Sequence, residues 1–123
     1  MVHGNWISSW ARLVGEKTAL VEAESGRSLT YSELESLVDD TAGLLVRMGV
    51  EFQERVAVLG QNSLEQIVLY FAAARLGAIL VPVNWRLAPA EVDYVLEHSG
   101  ARWLFYGEDS AGLVEKTRNR PEH

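Results

Sequence analysis

The order of apolar segments predicts an α/β fold, a parallel βαβαβ unit preceded by a β-hairpin. Three observations support it. "RVAVL" (55–59), "AILVPV" (78–83) and "RWLFY" (102–106) are short runs rich in β-branched and aromatic residues. Between them lie "SLEQIVLYFAAARLG" (63–77) and "PAEVDYVLEHSG" (89–100), both with helical spacing. Strands alternating with helices imply parallel pairing through right-handed crossovers. Upstream, Ser25-Gly26 separates two short runs, which is a hairpin signal.

Each element has a local reason. Residues 5–14 place Trp6, Trp10 and Leu13 on one helical face, with Arg12 the single base. That suits a helix packed on its own protein better than one lying on a membrane. Thr18–Glu22 and Arg27–Thr30 read as the hairpin strands. "TYSE" then forms a capping box, Thr30 with Glu33. Leu34, Leu37, Val38, Thr41, Leu45 and Met48 follow at helical spacing, and Gly49 ends the helix. Glu33, Glu35, Asp39 and Asp40 lie near one another without a His or Cys partner, so they read as a solvated face.

The three later runs are continuous rather than alternating, which predicts strands covered on both faces. The helix at 64–76 is apolar nearly all round. Leu64, Ile67, Val68, Phe71 and Ala72 make one face, and Leu69, Tyr70, Ala73 and Ala74 most of the other. Such a helix is expected to be buried on all sides. The expectation is therefore more protein around it, from a continuation of the chain or a partner, with a ligand pocket the less fitting alternative. Pro89 suits the first turn of the next helix. A last helix is expected over Ser110 to Arg118.

Length and composition narrow the function. A chain of 123 residues is read as one domain or subdomain, 1–123, with an N-terminal helix at 1–17, a hairpin at 18–30 and a core at 55–106. The net charge is −6 and the lysines are only Lys17 and Lys116, which argues against nucleic acid as a partner. Arg118 and Arg120 read as a solvated terminus. Without cysteine there is no disulfide, thiolate metal site or cysteine nucleophile. That composition fits a cytoplasmic protein. "MVHGNWISSWARL" has neither a basic leader nor an apolar core, and "LGAILVPV" is too short to span a bilayer. No signal peptide and no membrane span are expected.

"RVAVLGQNSLEQ" (55–66) joins a strand to a helix, a place where phosphates bind. A dinucleotide fingerprint needs three glycines, and only Gly60 is present. Neither lysine has a Walker setting. Asn62 or Ser63 is instead a good helix cap. His3 and His123 sit at the termini, and His98 in a last helical turn reads as structural. No G-x-S-x-G occurs. From these residues the expectation is no catalytic, cofactor-binding or metal-binding residue in this chain.

"LTYSEL" (Leu29 to Leu34) and "ARLGAILVPVNWRL" (Ala74 to Leu87) resemble the first two core motifs of the adenylate-forming ligases. These are the acyl-CoA synthetases, peptide-synthetase adenylation domains and luciferases. The intervening and following segments resemble the family too, from about Trp6 to Tyr106. "PVNWRL" is similar to fatty-acyl-CoA synthetases and their medium-chain relatives. The resemblance implies the first subdomain of that fold and a parent reaction in two steps. ATP adenylates a carboxylic acid, releasing pyrophosphate, and the CoA thiol then displaces AMP. ATP, Mg²⁺ and CoA are thus implied for the parent enzyme, and none for this chain.

The family's Ser/Thr/Gly-rich phosphate loop with its Lys is absent from these residues. So are its aromatic-Gly-x-Thr-Glu segment, its ribose-binding Asp and its C-terminal catalytic Lys, all expected downstream. Glu115-Lys116-Thr117 is no substitute. Trp85 and Arg86 follow a strand end where α/β sites gather, though packing and a salt bridge would also account for them. The implied role is an N-terminal scaffold, catalytically inactive in isolation, whose partner is the remainder of the ligase. The fatty acid would bind only the full enzyme. The alternatives are an interaction module, pairing with another ligase subunit or itself through exposed apolar surface, and a small nucleotide- or acyl-binding protein.

Overall fold

The computed structural model describes residues 5–61 and 63–117. Asn62, His3, His123, Arg118, Arg120 and the side chain of Trp6 lie outside what it describes. In chain order the elements are α1 (Asn5–Val14), β1 (Thr18–Val21), β2 (Ser28–Thr30), α2 (Tyr31–Met48), β3 (Arg55–Leu59), α3 (Leu64–Leu76), β4 (Ile79–Val83), α4 (Pro89–Ser99), β5 (Trp103–Tyr106) and α5 (Ala111–Glu115). They gather into two compact units. One holds α1, the hairpin, α2 and α3; the other holds β3, β4, α4, β5 and α5.

In the first unit the capping box forms as expected. The Glu33 amide donates to Thr30 Oγ1 at 3.1 Å, and the Thr30 amide to Glu33 Oε1 at 2.9 Å. Leu34, Val38, Ala42 and Leu45 are buried at helical spacing. Gly49, at φ 95, closes α2 by donating to the carbonyls of Leu45 and Val46. α3 packs against α2. It is buried at Leu64, Val68, Leu69, Ala72 and Ala73, but Ile67 and Tyr70 are exposed. Burial on all sides is therefore not what these residues show. One face is covered and an apolar face is left open.

The inward face of α1 also differs from expectation. Ile7 is buried and Ala11 and Val14 half-buried, while Leu13 is 75% exposed and Trp10 50%. Polar ties set this roll. Ser8 Oγ donates to Glu35 Oε1 at 3.0 Å, and the Ser32 amide to the Gly15 carbonyl at 3.0 Å. Trp10 instead stacks on Tyr31 with ring centroids 6.1 Å apart.

Nor do the α2 acids form a purely solvated face. Arg75 of α3, its side chain only 14% exposed, donates to Glu35 Oε2 and to Ser8 Oγ, and lies 3.6 Å from Asp39 Oδ1. One guanidinium thus ties α1, α2 and α3. Asp40 remains exposed.

The hairpin pairs Thr18 with Thr30, Leu20 with Leu29 and Val21 with Ser28, with a shift of register between Thr18 and Leu20. Its strands stop at Val21 and start again at Ser28. Glu22 and Arg27, expected as strand ends, belong to the tip. A ribbon this short is marginal alone. Its tip is held by charge. Arg27 bonds Glu22 Oε2 at 2.9 Å and Glu65 Oε1 of α3 at 2.8 Å. Ser25 Oγ donates to Glu22 Oε1 at 2.5 Å, and the Leu64 amide to Glu22 Oε2 at 3.1 Å. Arg27, then Ser25, then the Leu64 amide pull the Glu22 carboxyl from 4.5 down to about 2. Arg27 likewise lowers Glu65, and the two acids raise Arg27.

In the second unit β3 is central, in the order β4-β3-β5, and both pairings are parallel. Val56, Ala57, Val58 and Leu59 are all buried, so β3 alone meets the expectation of full cover. The outer strands leave Ile79, Pro82 and Tyr106 exposed, as suits ends of a sheet. The Ile79 amide donates to the Glu54 carbonyl at 2.8 Å. By strand alternation Val81 and Val83 also face β3, and Pro82 falls on the far side, where its missing donor costs no ladder bond.

Ala57 and Leu59 pack with Val83, Val92, Leu96 and Val114 into the core of this unit. Pro89 opens α4 as expected, and Glu91 reaches back to the Ala88 amide at 3.0 Å. His98 in its last turn stacks flat on Tyr94, with centroids 5.5 Å apart. The last helix is shorter than expected. A 3₁₀ turn spans Glu108–Ser110 and α5 ends at Glu115. Thr117 Oγ1 takes the Val114 carbonyl at 2.7 Å, the acceptor that a continuing helix would need.

Two outcomes are expected. Arg75→Met leaves Glu35 uncompensated and lowers stability by about 2 kcal/mol; an unchanged denaturation midpoint would contradict the three-helix tie. For Glu22, the folded carboxyl titrates below the unfolded one. Its stabilisation is complete above about pH 4.5 and is lost as pH falls toward 2. The stability gap between wild type and Glu22→Gln should therefore be constant near neutral pH and close across that acid range in a denaturation series. A gap that persists at the acid end would count against the assignment.

Candidate functional site

Strand order locates the place to look. The chain leaves β3 for β4 on one side and returns to β5 on the other. The carboxyl ends of β3 and β5 therefore flank a topological switch point, where open α/β sheets bind ligands. Gly60, at φ 152, turns the chain out of β3 in a conformation that side chains rarely adopt. A Cβ there would lie 3.8 Å from the Gly107 amide nitrogen and 4.0 Å from Ser110 Oγ. The two exit turns thus meet closely. Ser110 is buried, and its amide donates to the Gly107 carbonyl at 3.0 Å. Glu108 and Asp109 stand exposed on the rim. Two carboxylates there oppose a phosphate.

At the end of β4, Asn84 Oδ1 accepts from the Arg86 amide at 2.9 Å and the Asn84 carbonyl from Leu87 at 3.2 Å. This side-chain turn fixes the backbone. The Arg86 guanidinium lies 5.1 Å from the Trp85 ring centroid, a cation–π contact with both side chains exposed. Stacking, rather than the alternative salt bridge, is the contact seen for Arg86.

The start of α3 answers the phosphate question. Ser63 Oγ accepts from the Gln66 amide at 3.3 Å, so Ser63 is the cap. The Leu64 amide is taken by Glu22 Oε2. A carboxylate from the chain itself thus occupies the position an anion would need. Sequence reading missed Glu22 and Arg27 in this role, because the partner helix lies some forty residues on. The one available signal was opposite charge on either side of Ser25-Gly26.

Among the described residues no group of three or more His, Asp or Glu could hold a metal ion. The described residues therefore offer no carboxylate set for the magnesium of ATP. On the described loops at the carboxyl ends of β3, β4 and β5 the one cation is Arg86, which is no ligand set for the phosphates of CoA. No described helix is long and apolar enough to cross a membrane.

Residues 7–123 match the family described as AMP-binding enzyme. The chain is 38% identical over 100 residues to the long-chain-fatty-acid–CoA ligase FadD13 of Mycobacterium tuberculosis, covering 81% of this chain and 20% of that protein. It is 45% identical over 86 residues to the indoleacetate–CoA ligase of Aromatoleum aromaticum, covering 70% and 16%. The inhibitor-bound N-terminal domain of FACL13 from Mycobacterium tuberculosis superposes with a TM-score of 0.87 at 34% identity, over 94% of this chain and 29% of that one. VinN superposes at 0.88 with 20% identity, over 98% and 32%, which speaks to the fold alone. The chain spans about a fifth of the length of the curated relatives it matches. It belongs to the AMP-binding enzyme family and is homologous to the N-terminal part of the fatty-acid–CoA ligases.

Proposed function

We propose that these residues are the N-terminal scaffold of an ATP-dependent fatty-acid–CoA ligase and are catalytically inactive in isolation. In the parent reaction a carboxylic acid and ATP give an acyl-adenylate and pyrophosphate. The CoA thiol then gives the thioester and AMP. The observation that carries this reading is the start of α3, where Glu22 fills the anion position. Scaffold, rather than nucleotide site, is what the strand–turn–helix corner supplies. The relative FadD13, a long-chain-fatty-acid–CoA ligase, supports the choice of a fatty-acid–CoA ligase as the parent. The partners are then the rest of the ligase and, in the whole enzyme, the fatty acid with ATP, Mg²⁺ and CoA. A composition without cysteine suits work in the cytoplasm.

A second reading, self-association or pairing with another ligase subunit, is favoured by the open apolar side chains of the helical unit. Leu13 and Phe52 are each more than 70% exposed, and Leu37, Leu44 and Val46 are also exposed.

Isolated protein should catalyse no ATP–pyrophosphate exchange with palmitate and Mg²⁺ above a blank; exchange from a clean preparation would overturn the scaffold reading. Sedimentation separates the second reading from the first. It expects a concentration-dependent rise in mass, and a monomer at all concentrations with no dye-binding apolar surface would exclude it.

A further inference from the structure

We propose that the hairpin tip and the first turn of α3 form a latch that opens and closes as one piece, held by the Glu22 carboxylate. The first argument is connectivity. Glu22 accepts at once from Arg27, from Ser25 and from the Leu64 amide, so one side chain closes the tip and caps the helix. Arg27 doubles the link by donating to Glu65 Oε1 at 2.8 Å and Oε2 at 3.1 Å.

Weak surroundings supply the second argument. The strands behind the tip have four and three residues, and residues 23 to 28 include no buried side chain. In the first turn of α3 only Leu64 is buried, and the next buried position is Val68. Little apolar contact therefore holds either part once the carboxylate is gone. The rest of α3 keeps Val68, Leu69, Ala72 and Ala73 buried and keeps the Arg75 tie. Such an arrangement opens locally, below the free energy of unfolding the unit.

The latch joins residues 42 apart in sequence within one unit. It is a conformational device reached from a distant stretch of sequence, held through Glu22 and Arg27 and separable from the rest of the fold.

Amide hydrogen exchange of the intact chain tests this. In Glu22→Ala, exchange at Leu64 and Gly26 should rise together by about tenfold or more, while Val68 to Ala73 keep their protection. Glu22→Gln, which keeps the shape and loses the charge, should give the same pattern with a smaller rise and covers the case where the alanine variant fails to fold. Ser63→Ala removes the other cap of the same turn and should raise Gln66 and Gly26 together, by less than Glu22→Ala does. The proposal is overturned if Leu64 rises without Gly26, if neither rises, or if protection falls uniformly through α2 and α3.

Discussion

A helix start leaves amide donors that something must satisfy, and in α3 that requirement is met from the hairpin. Glu22 reaches across to the Leu64 amide, and Ser63 takes the Gln66 amide. This one contact does two things. It anchors a ribbon too short to stand alone, and it removes the vacancy through which helix starts attract phosphates. The neighbouring Arg27 neutralises the pair of acids that would otherwise repel each other. The same carboxylate thus anchors the hairpin and occupies the first amide of α3.

The two units are held by different physics. In the helical unit, polar ties choose among packings that apolar burial alone leaves open. Arg75 draws in Glu35 and Ser8, and this sets the roll of α1 so that Ile7 turns inward and Leu13 outward. In the sheet unit, burial does most of the ordering. β3 is apolar and covered at four successive residues, and Pro82 sits where a missing donor does no harm. The exit turns at Gly60 and Gly107 approach closely, but the described groups they present carry no positive charge. Such a corner positions a chain better than it binds an anion.

Much of this was legible in the sequence because its causes are local. The "TYSE" box and the Gly49 end are each decided within about four residues and both form, and of the two cap candidates, Asn62 and Ser63, it is Ser63 that caps α3. The parallel order of "RVAVL", "AILVPV" and "RWLFY" follows from alternation with helices. What escaped depends on distant partners. The role of Glu35 needed Arg75, forty residues on, and the Glu22 cap needed Leu64, forty-two on. The expectation misled at Trp10 and Leu13 because a helix with two apolar stripes can roll either way, and periodicity does not say which stripe is chosen. For the site itself, the missing glycines and the unsuitable lysines already argued against a phosphate. The carboxylate that fills the position could be found only in three dimensions.

We propose that the strand–turn–helix corner at residues 55 to 66 supports the fold and binds no nucleotide. Titrating the folded chain with MgATP while following the amide resonances of Gly60, Leu64 and Gln66 tests it most directly. No saturable shift is expected at ligand concentrations up to about millimolar. A saturable shift centred on Leu64 and Gln66, with Glu22 displaced from the helix start, would contradict it.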